Sequence, residues 1–325
     1  MKRLGWLPVI LIVVSVLVSP VIPAGLAQQF PSRPIEFVVP FAAGGGSDLL
    51  ARAIARMLQE EKLLPVPIVV VNKPGGSGAV GYTYLASKRG DPHHIATVSS
   101  SFWTTPLVGQ SPVSYRDFTA LYGLAFDTFL LVTRTESTFR RMSDVVAVAK
   151  QRPGLVSVSG SAIASDDAVV TYMLEREAGI KLNYISFGGS GPALVAALGG
   201  HVILTWSNPG EVLPQLEARK ARALAVASAK RLAGLPDVPT FKELGYNVDF
   251  AQFRGVVMPP NVQADAVRIL ADAVGRLCRS RRWQNDYVEK NMITGVCMRP
   301  DEFGRAVAAQ HELYRKVFAG LGVIK

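Results

Sequence analysis

The sequence FVVPFAAGGGSDLLAR, at residues 37–52, decides the fold. The apolar, largely β-branched run at 35–39 predicts a short buried strand. The glycines at 44–46 then form a turn, and Ser47 or Asp48 can cap the helix that follows. A strand, a glycine turn and a helix N-terminus in this order offer free N–H groups and a positive helix dipole. The stretch therefore predicts an anion-binding site.

Two known phosphate motifs do not match this stretch. Leu49 stands three positions after Gly46, so the dinucleotide pattern G-x-G-x-x-G is not complete. The P-loop pattern G-x-x-x-x-G-K-[ST] does not occur in the sequence. A tight strand-to-helix turn that binds no ligand is the alternative that this stretch leaves open.

Residues 1–27 have the three parts of a secretory signal peptide. A positive Met1-Lys2-Arg3 start precedes an apolar run, and Gly25 and Ala27 place small residues at −3 and −1 of a cleavage site. We therefore expect export with cleavage after Ala27, and a soluble mature protein. A retained membrane anchor is the alternative.

The charge of the chain is basic but not patterned for nucleic acid. Lys and Arg number 35 against 25 Asp and Glu, a formal net charge of +10. No Lys/Arg block and no alternation of aromatic and basic residues is present, so the charge indicates a solvated surface or mild attraction of anionic solutes. The cysteines are Cys278 and Cys297. Export permits a disulfide between them, while Cys278 also continues the apolar face of a predicted helix, so both interpretations stay open.

The unit of strand, Gly/Ser-rich turn and helix recurs along the chain. Further copies begin near residues 68, 156, 184 and 202, and three serines follow a strand at 94–98. We expect an α/β fold of two halves with four helix N-termini around one cleft. The second half, residues 128–252, is inserted into a first half formed by 28–127 and 253–325.

In this order the motifs resemble the periplasmic solute receptors of tripartite tricarboxylate transporters, the Bug receptors. The resemblance rests on the glycine turn above and on the segments NKPGGSG at 72–78, GGSGPAL at 188–194, LGGHV at 198–202 and LPDVPT at 235–240. It implies a two-lobed periplasmic-binding-protein (Venus-flytrap) fold without enzymatic activity. It further implies a periplasmic receptor, expected to be a monomer, that delivers a small carboxylate to a two-component membrane permease.

The resemblance places the ligand on the turns of both lobes. The serines after the third strand are added because their hydroxyls can line the same cleft. The candidate ligand-binding residues are Phe41, Gly44, Gly45, Gly46, Ser47, Asp48, Gly75, Gly76, Ser77, Gly78, Ser99, Ser100, Ser161, Ser165, Asp166, Gly188, Gly189, Ser190, Gly191, Ser207 and Asn208. The resemblance implies a di- or tricarboxylate ligand, and the segment SNPGE at 207–211, which is similar to that of the subgroup nearest the citrate receptors, favours a tricarboxylate such as citrate. No cofactor and no metal is expected.

Several acidic residues fit an anion site poorly. Asp48 either caps the first helix or contacts an amino group of the ligand, and Asp166 and Asp167 either cap their helix or face a hydroxyl or cationic group. An exported serine hydrolase is the competing class of function. Its G-x-S-x-G motif is missed at the last position by both segments GGSGA, at 75–79, and GGSGP, at 188–192.

Overall fold

The computed structural model describes residues 30–320 and 322–324. The predicted signal peptide lies outside the described residues. The strands are β1 Ile35–Val39, β2 Ile68–Asn72, β3 His94–Val98, β4 Thr119–Thr128, β5 Leu130–Arg134, β6 Ser157–Gly160, β7 Asn183–Ser186, β8 Leu204–Ser207, β9 Ala221–Val226, β10 Ala251–Met258 and β11 Thr294–Met298. The α-helices are α1 Gly46–Glu60, α2 Ala79–Ser87, α3 Ser101–Leu107, α4 Met142–Gln151, α5 Asp166–Ala178, α6 Ser190–Leu198, α7 Pro209–Glu217, α8 Ala264–Cys278, α9 Arg281–Trp283 and α10 Pro300–Gly320.

The strands form two mixed sheets, each with its own hydrophobic core. The first has the order β11-β4-β10-β3-β1-β2 and the second the order β7-β6-β8-β5-β9. The chain leaves the first sheet after Thr128, enters the second at Leu130 and returns at Ala251. Two long strands, β4 and β10, therefore connect the sheets.

The helix N-termini lie at the carboxyl ends of the parallel strands. In the first sheet β1 is parallel to β2 and β3, and in the second β6 is parallel to β7 and β8. Each of these strands runs into a short turn and then a helix. Ligand sites of open α/β sheets lie at this end of the strands.

The amphipathic pattern of α1 is confirmed. Leu50, Ile54 and Met57 are fully buried against the first sheet, while Arg52 and Arg56 keep about half of their side chains exposed. Packing of this stripe anchors the helix, so the backbone N–H groups of its first turn are held at a fixed place beside the sheet.

The two cysteines are joined in a disulfide. Cys278, at the end of α8, bonds to Cys297 in β11, with a Cα–Cα distance of 5.9 Å. Cys278 is also fully buried among apolar side chains, so both interpretations of this residue hold. None of the helices described, over 30–320 and 322–324, is long and apolar enough to cross a membrane.

Candidate functional site

Five helix N-termini meet at an enclosed cavity between the two sheets. They belong to α1 and α3 of the first sheet and to α5, α6 and α7 of the second. The volume of the cavity is about 30 Å³. That volume holds one or two water molecules. The lining residues are Phe41, Ala42, Gly45, Gly46, Ser47, Asp48, Ser99, Ser100, Phe129, Ser161, Asp167, Ser190, Asn208, Glu211, Gln252 and Arg254.

The two sheets contact each other directly around this cavity. The N–H of Ala42 donates to the carbonyl oxygen of Gly188 over 3.0 Å. The hydroxyl of Thr104, in α3, donates to the carbonyl oxygen of Ala164 in the turn before α5. The structure is therefore a closed form, in which the turns of one sheet touch those of the other.

Glu211, in the first turn of α7, lies at the N-terminus of α1. Its Oε1 accepts hydrogen bonds from the N–H of Gly46 and, over 2.7 Å, from the hydroxyl of Ser190 at the N-terminus of α6. Its Oε2 accepts from the N–H of Asn208 over 3.2 Å. Burial raises the pKa of Glu211 to about 7, because Arg254 nearby offsets the desolvation only in part.

Arg254 supplies a buried positive charge at the cavity. Its side chain rises from the middle of β10, is 1% exposed, and pairs with Asp127 of β4 at 2.7 Å. Its Nη2 also donates to Oδ1 of Asn208 over 2.7 Å. Because Asp127 and Asn208 hold the guanidinium on two sides, its position is fixed before any ligand arrives.

Asp48 does not cap α1, so that interpretation is wrong. The N-cap is Gly45, which has no side chain to do so, and Asp48 lies in the first turn. It accepts hydrogen bonds from the N–H of Gly44 at 3.1 Å, from Arg52 at 2.9 Å and from Asn72 at 3.0 Å. Burial alone would raise the pKa of Asp48, but these three donors outweigh it and lower that pKa. The charge of Asp48 is thus balanced within its own sheet.

Asp166 and Asp167 do not cap α5 either, because Ser165 is its N-cap. Asp167 lines the cavity and accepts from the N–H of Ser161 at 2.5 Å. Asp166 lies outside the cavity, where its carboxylate accepts from the hydroxyl of Tyr314 in α10 over 2.5 Å. The two adjacent aspartates therefore have different surroundings. Asp167 lines the cavity, and Asp166 lies at a contact between the two sheets.

The predicted turn 75–78 lines a second cavity. With Phe41, Ser161 and Gly188 it borders a space of about 610 Å³ beside the enclosed cavity. The remaining candidates, Gly44, Ser165, Asp166, Gly189, Gly191 and Ser207, line neither space. The turns before α1, α3, α5, α6 and α7 thus line the cavity of about 30 Å³, and the turn before α2 lines the larger space beside it.

Sequence reasoning missed the charged centre of the site. Asp167, Glu211, Gln252 and Arg254 line the cavity but were not among the candidates. Arg254 carried a usable signal, since a lone charge inside an apolar strand is seldom buried without a partner. Its partner Asp127 is distant in sequence, so their pairing followed only from the antiparallel register of β4 and β10.

Two α/β sheets that close over a cleft lined by helix N-termini define the class of two-lobed periplasmic binding proteins. The chain belongs to the tripartite tricarboxylate transporter receptor family, whose model matches residues 50–316. Protein BugT of Bordetella pertussis is 34% identical over 241 residues, 72% of each chain.

Solved structures of this class are similar along about nine-tenths of the chain. The periplasmic binding protein BugD superposes with a TM-score of 0.85 at 25% identity, covering 91% of this chain and 100% of BugD. A protein of R. palustris solved with adipate has a TM-score of 0.84 at 27% identity, covering 90% of this chain and 99% of its own. The family consists of periplasmic substrate-binding receptors and not of enzymes, so the serine hydrolase alternative is wrong.

Proposed function

We propose that the chain binds a small di- or tricarboxylate between its lobes and delivers it to a two-component membrane permease. The observation that carries the proposal is the convergence of five helix N-termini and the buried Arg254 on one cavity. The adipate in the R. palustris structure supports a ligand with two carboxylates. Lobe 1 comprises 28–127 and 253–325, and lobe 2 comprises 128–252.

The energetics require several of these groups to act together. One helix N-terminus stabilises an exposed anion by about 0.3–1 kcal/mol, and by up to about 2 kcal/mol when partly buried. Micromolar affinity needs about 8 kcal/mol. Helix ends from both lobes and the Arg254 guanidinium are needed to reach that figure. Because the enclosed cavity of about 30 Å³ cannot hold a dicarboxylate, the lobes must part to admit it.

A ligand panel tests this function. Succinate, malate, adipate and citrate are added to the purified mature protein, with glucose and AMP as controls, and the melting temperature is followed. We expect at least one carboxylate to raise it and to bind with one site per chain by calorimetry, since the donors described favour carboxylates. Stabilisation by glucose or AMP alone would contradict the proposal.

Export and the absence of a partner subunit belong to the same proposal. The mature protein begins at Gln28 and is a monomer. N-terminal sequencing of the exported protein checks the first point, and light scattering checks the second. A chain that keeps Met1 in the membrane fraction would show that the signal peptide is retained.

A further inference from the structure

The carboxylate of Glu211 already takes the place that an anion would take. The N–H of Gly46, in the first turn of α1, is one of the donors expected to hold a ligand carboxylate, and it donates instead to Oε1 of Glu211. The hydroxyl of Ser190, the corresponding donor from lobe 2, donates to the same oxygen over 2.7 Å. One donor of α1 and one donor of α6 are thus engaged by the same side chain of the protein.

We propose that Glu211 acts as a tethered competitor of the ligand and so sets the affinity that a carboxylate must reach to bind. In the closed form a ligand carboxylate and the Glu211 carboxylate cannot both occupy Gly46 and Ser190, so the ligand must outcompete Glu211 for them. The inference rests on the proposed function, because it concerns the same carboxylate site.

The competitor is held in position by contacts of its own. Glu211 is 9% exposed, and its Oε2 accepts from the N–H of Asn208 at the start of the same helix. Arg254 and Asn208 form a further hydrogen bond beside it. A side chain confined in this way has a high effective concentration at the donors, which a free ligand has to overcome.

This competition sets a threshold for binding. It lowers the affinity for every carboxylate ligand by a similar factor, since each ligand must take the same donors from Glu211. A ligand with one carboxylate has few other contacts to make up the loss. A ligand with two or three carboxylates gains contacts with other helix ends and with Arg254, so the receptor retains only polycarboxylates at low concentration.

The charged groups around Glu211 do not favour a second anion at the site while the Glu211 carboxylate is in place. Asp127 and Asp167 add negative charge from β4 and α5, and Arg254 adds one positive charge from β10. Tyr287 is buried, and Asp48 is paired with Arg52. An incoming anion therefore gains when the carboxylate of Glu211 is withdrawn or removed.

The test compares adipate with hexanoate, which has the same carbon chain and one carboxylate. Calorimetry is carried out at pH 8, where a Glu211 with a pKa of about 7 is ionised, on wild type, Glu211→Gln, Glu211→Asp and the matched control Glu217→Gln. Glu217 lies at the exposed end of the same helix. Glu211→Asp keeps the negative charge, but its side chain is one methylene shorter and the carboxylate lies further from Gly46. The variant therefore tells whether Glu211 weakens binding by occupying the donors or by its charge alone.

We expect Glu211→Gln to bind both acids at least about tenfold more tightly, which corresponds to about 1.4 kcal/mol. Glu211→Asp should gain at least about threefold in the same direction, and Glu217→Gln should match wild type within about twofold. If Glu211→Gln does not fold, the gain of Glu211→Asp alone tests the inference.

Two results would overturn the inference while leaving the receptor intact. One is a weaker binding of adipate by Glu211→Gln, which would make Glu211 an acceptor for the ligand. The other is a Glu211→Asp variant that binds adipate with the affinity of wild type. That result would show that the negative charge of Glu211, and not its occupation of the donors, weakens binding. If neither wild type nor any Glu211 variant binds any acid of the panel, the proposed function fails, and the inference fails with it.

Discussion

Gly46 is a glycine because its neighbours leave no room for a methyl group. A Cβ at this position would overlap Nη2 of Arg254 and would lie 2.9 Å from Oε1 of Glu211. Both neighbours are buried charged groups that are fixed by hydrogen bonds, so they cannot move aside without loss. The absence of a side chain here is a requirement of the closed site.

Gly46→Ala should therefore weaken binding of adipate at least about tenfold, because the methyl group displaces Arg254 or keeps the lobes apart. Calorimetry measures the change, and circular dichroism confirms folding. The matched control is Gly304→Ala, in α10 away from the cavity, where a Cβ would lie in ordinary contact 3.8 Å from that of Ala120. The explanation given for Gly46 is wrong if its variant binds adipate as tightly as the control.

The sequence predicted the neutral residues of the site better than its charged ones. Gly45, Ser47 and Ser100 follow strands that are recognisable locally, and they do line the cavity. Glu211 ends the SNPGE segment at 207–211 but was not predicted as a ligand-binding residue. Its role depends on a hydrogen bond to Gly46, 165 positions away. Such a contact follows from the docking of two sheets, which no local pattern encodes.

At the scale of elements, the strands that feed a helix were readable, and so was the bridging strand β10 over 253–258, but the bridging strand β4 was not. β1 and β3 have the bounds that their apolar runs predicted. β4, Thr119–Thr128, was not predicted, because it is buried on both faces in the middle of the sheet and shows no alternation. Its identity follows from pairing with β10 on one side and β11 on the other.

The disulfide between α8 and β11 should stabilise the first lobe. Replacing Cys278 and Cys297 together by Ala should lower the free energy of unfolding by about 3 kcal/mol, since the bridge closes a loop of 19 positions. Urea unfolding measures this, and reduced wild type should unfold at a similar urea concentration.

Binding of adipate should change by less than about twofold in the same variant, because neither cysteine lines the cavity. Equal unfolding midpoints for the variant and the oxidised wild type would show that the bridge adds no stability.

At the scale of the whole molecule, a second contact between the lobes lies away from the cavity. Tyr314 of α10 donates to the buried Asp166 over 2.5 Å, and the N–H of Asp166 donates to the hydroxyl of Ser100 over 2.9 Å. Burial raises the pKa of Asp166 to about 7 from an ordinary 3.8, although Tyr314 and Ser100 lower it and Asp167 raises it further. The closed form therefore holds a proton that the open form, in which Asp166 is hydrated, releases.

Closure without ligand should consequently weaken as the pH rises from about 4 to about 7, and should not change further above that range. Small-angle X-ray scattering should give a larger radius of gyration at pH 8 than at pH 5. Asp166→Asn, which cannot ionise, should reduce the difference, and the part that remains belongs to Glu211, whose pKa burial also raises to about 7. If the variant keeps the same dependence on pH as wild type, another group controls closure.

The arrangement of the helix ends has a consequence for how ligand binding is coupled to closure of the lobes. The helices of both lobes present their positive ends to one gap. The carboxyl groups of Glu211 and Asp167 already lie between these ends in the closed form without a ligand. A polycarboxylate would bring more negative charge to the same gap, so its binding should favour closure further. A neutral molecule of the same size should leave the balance between the open and closed forms as it is.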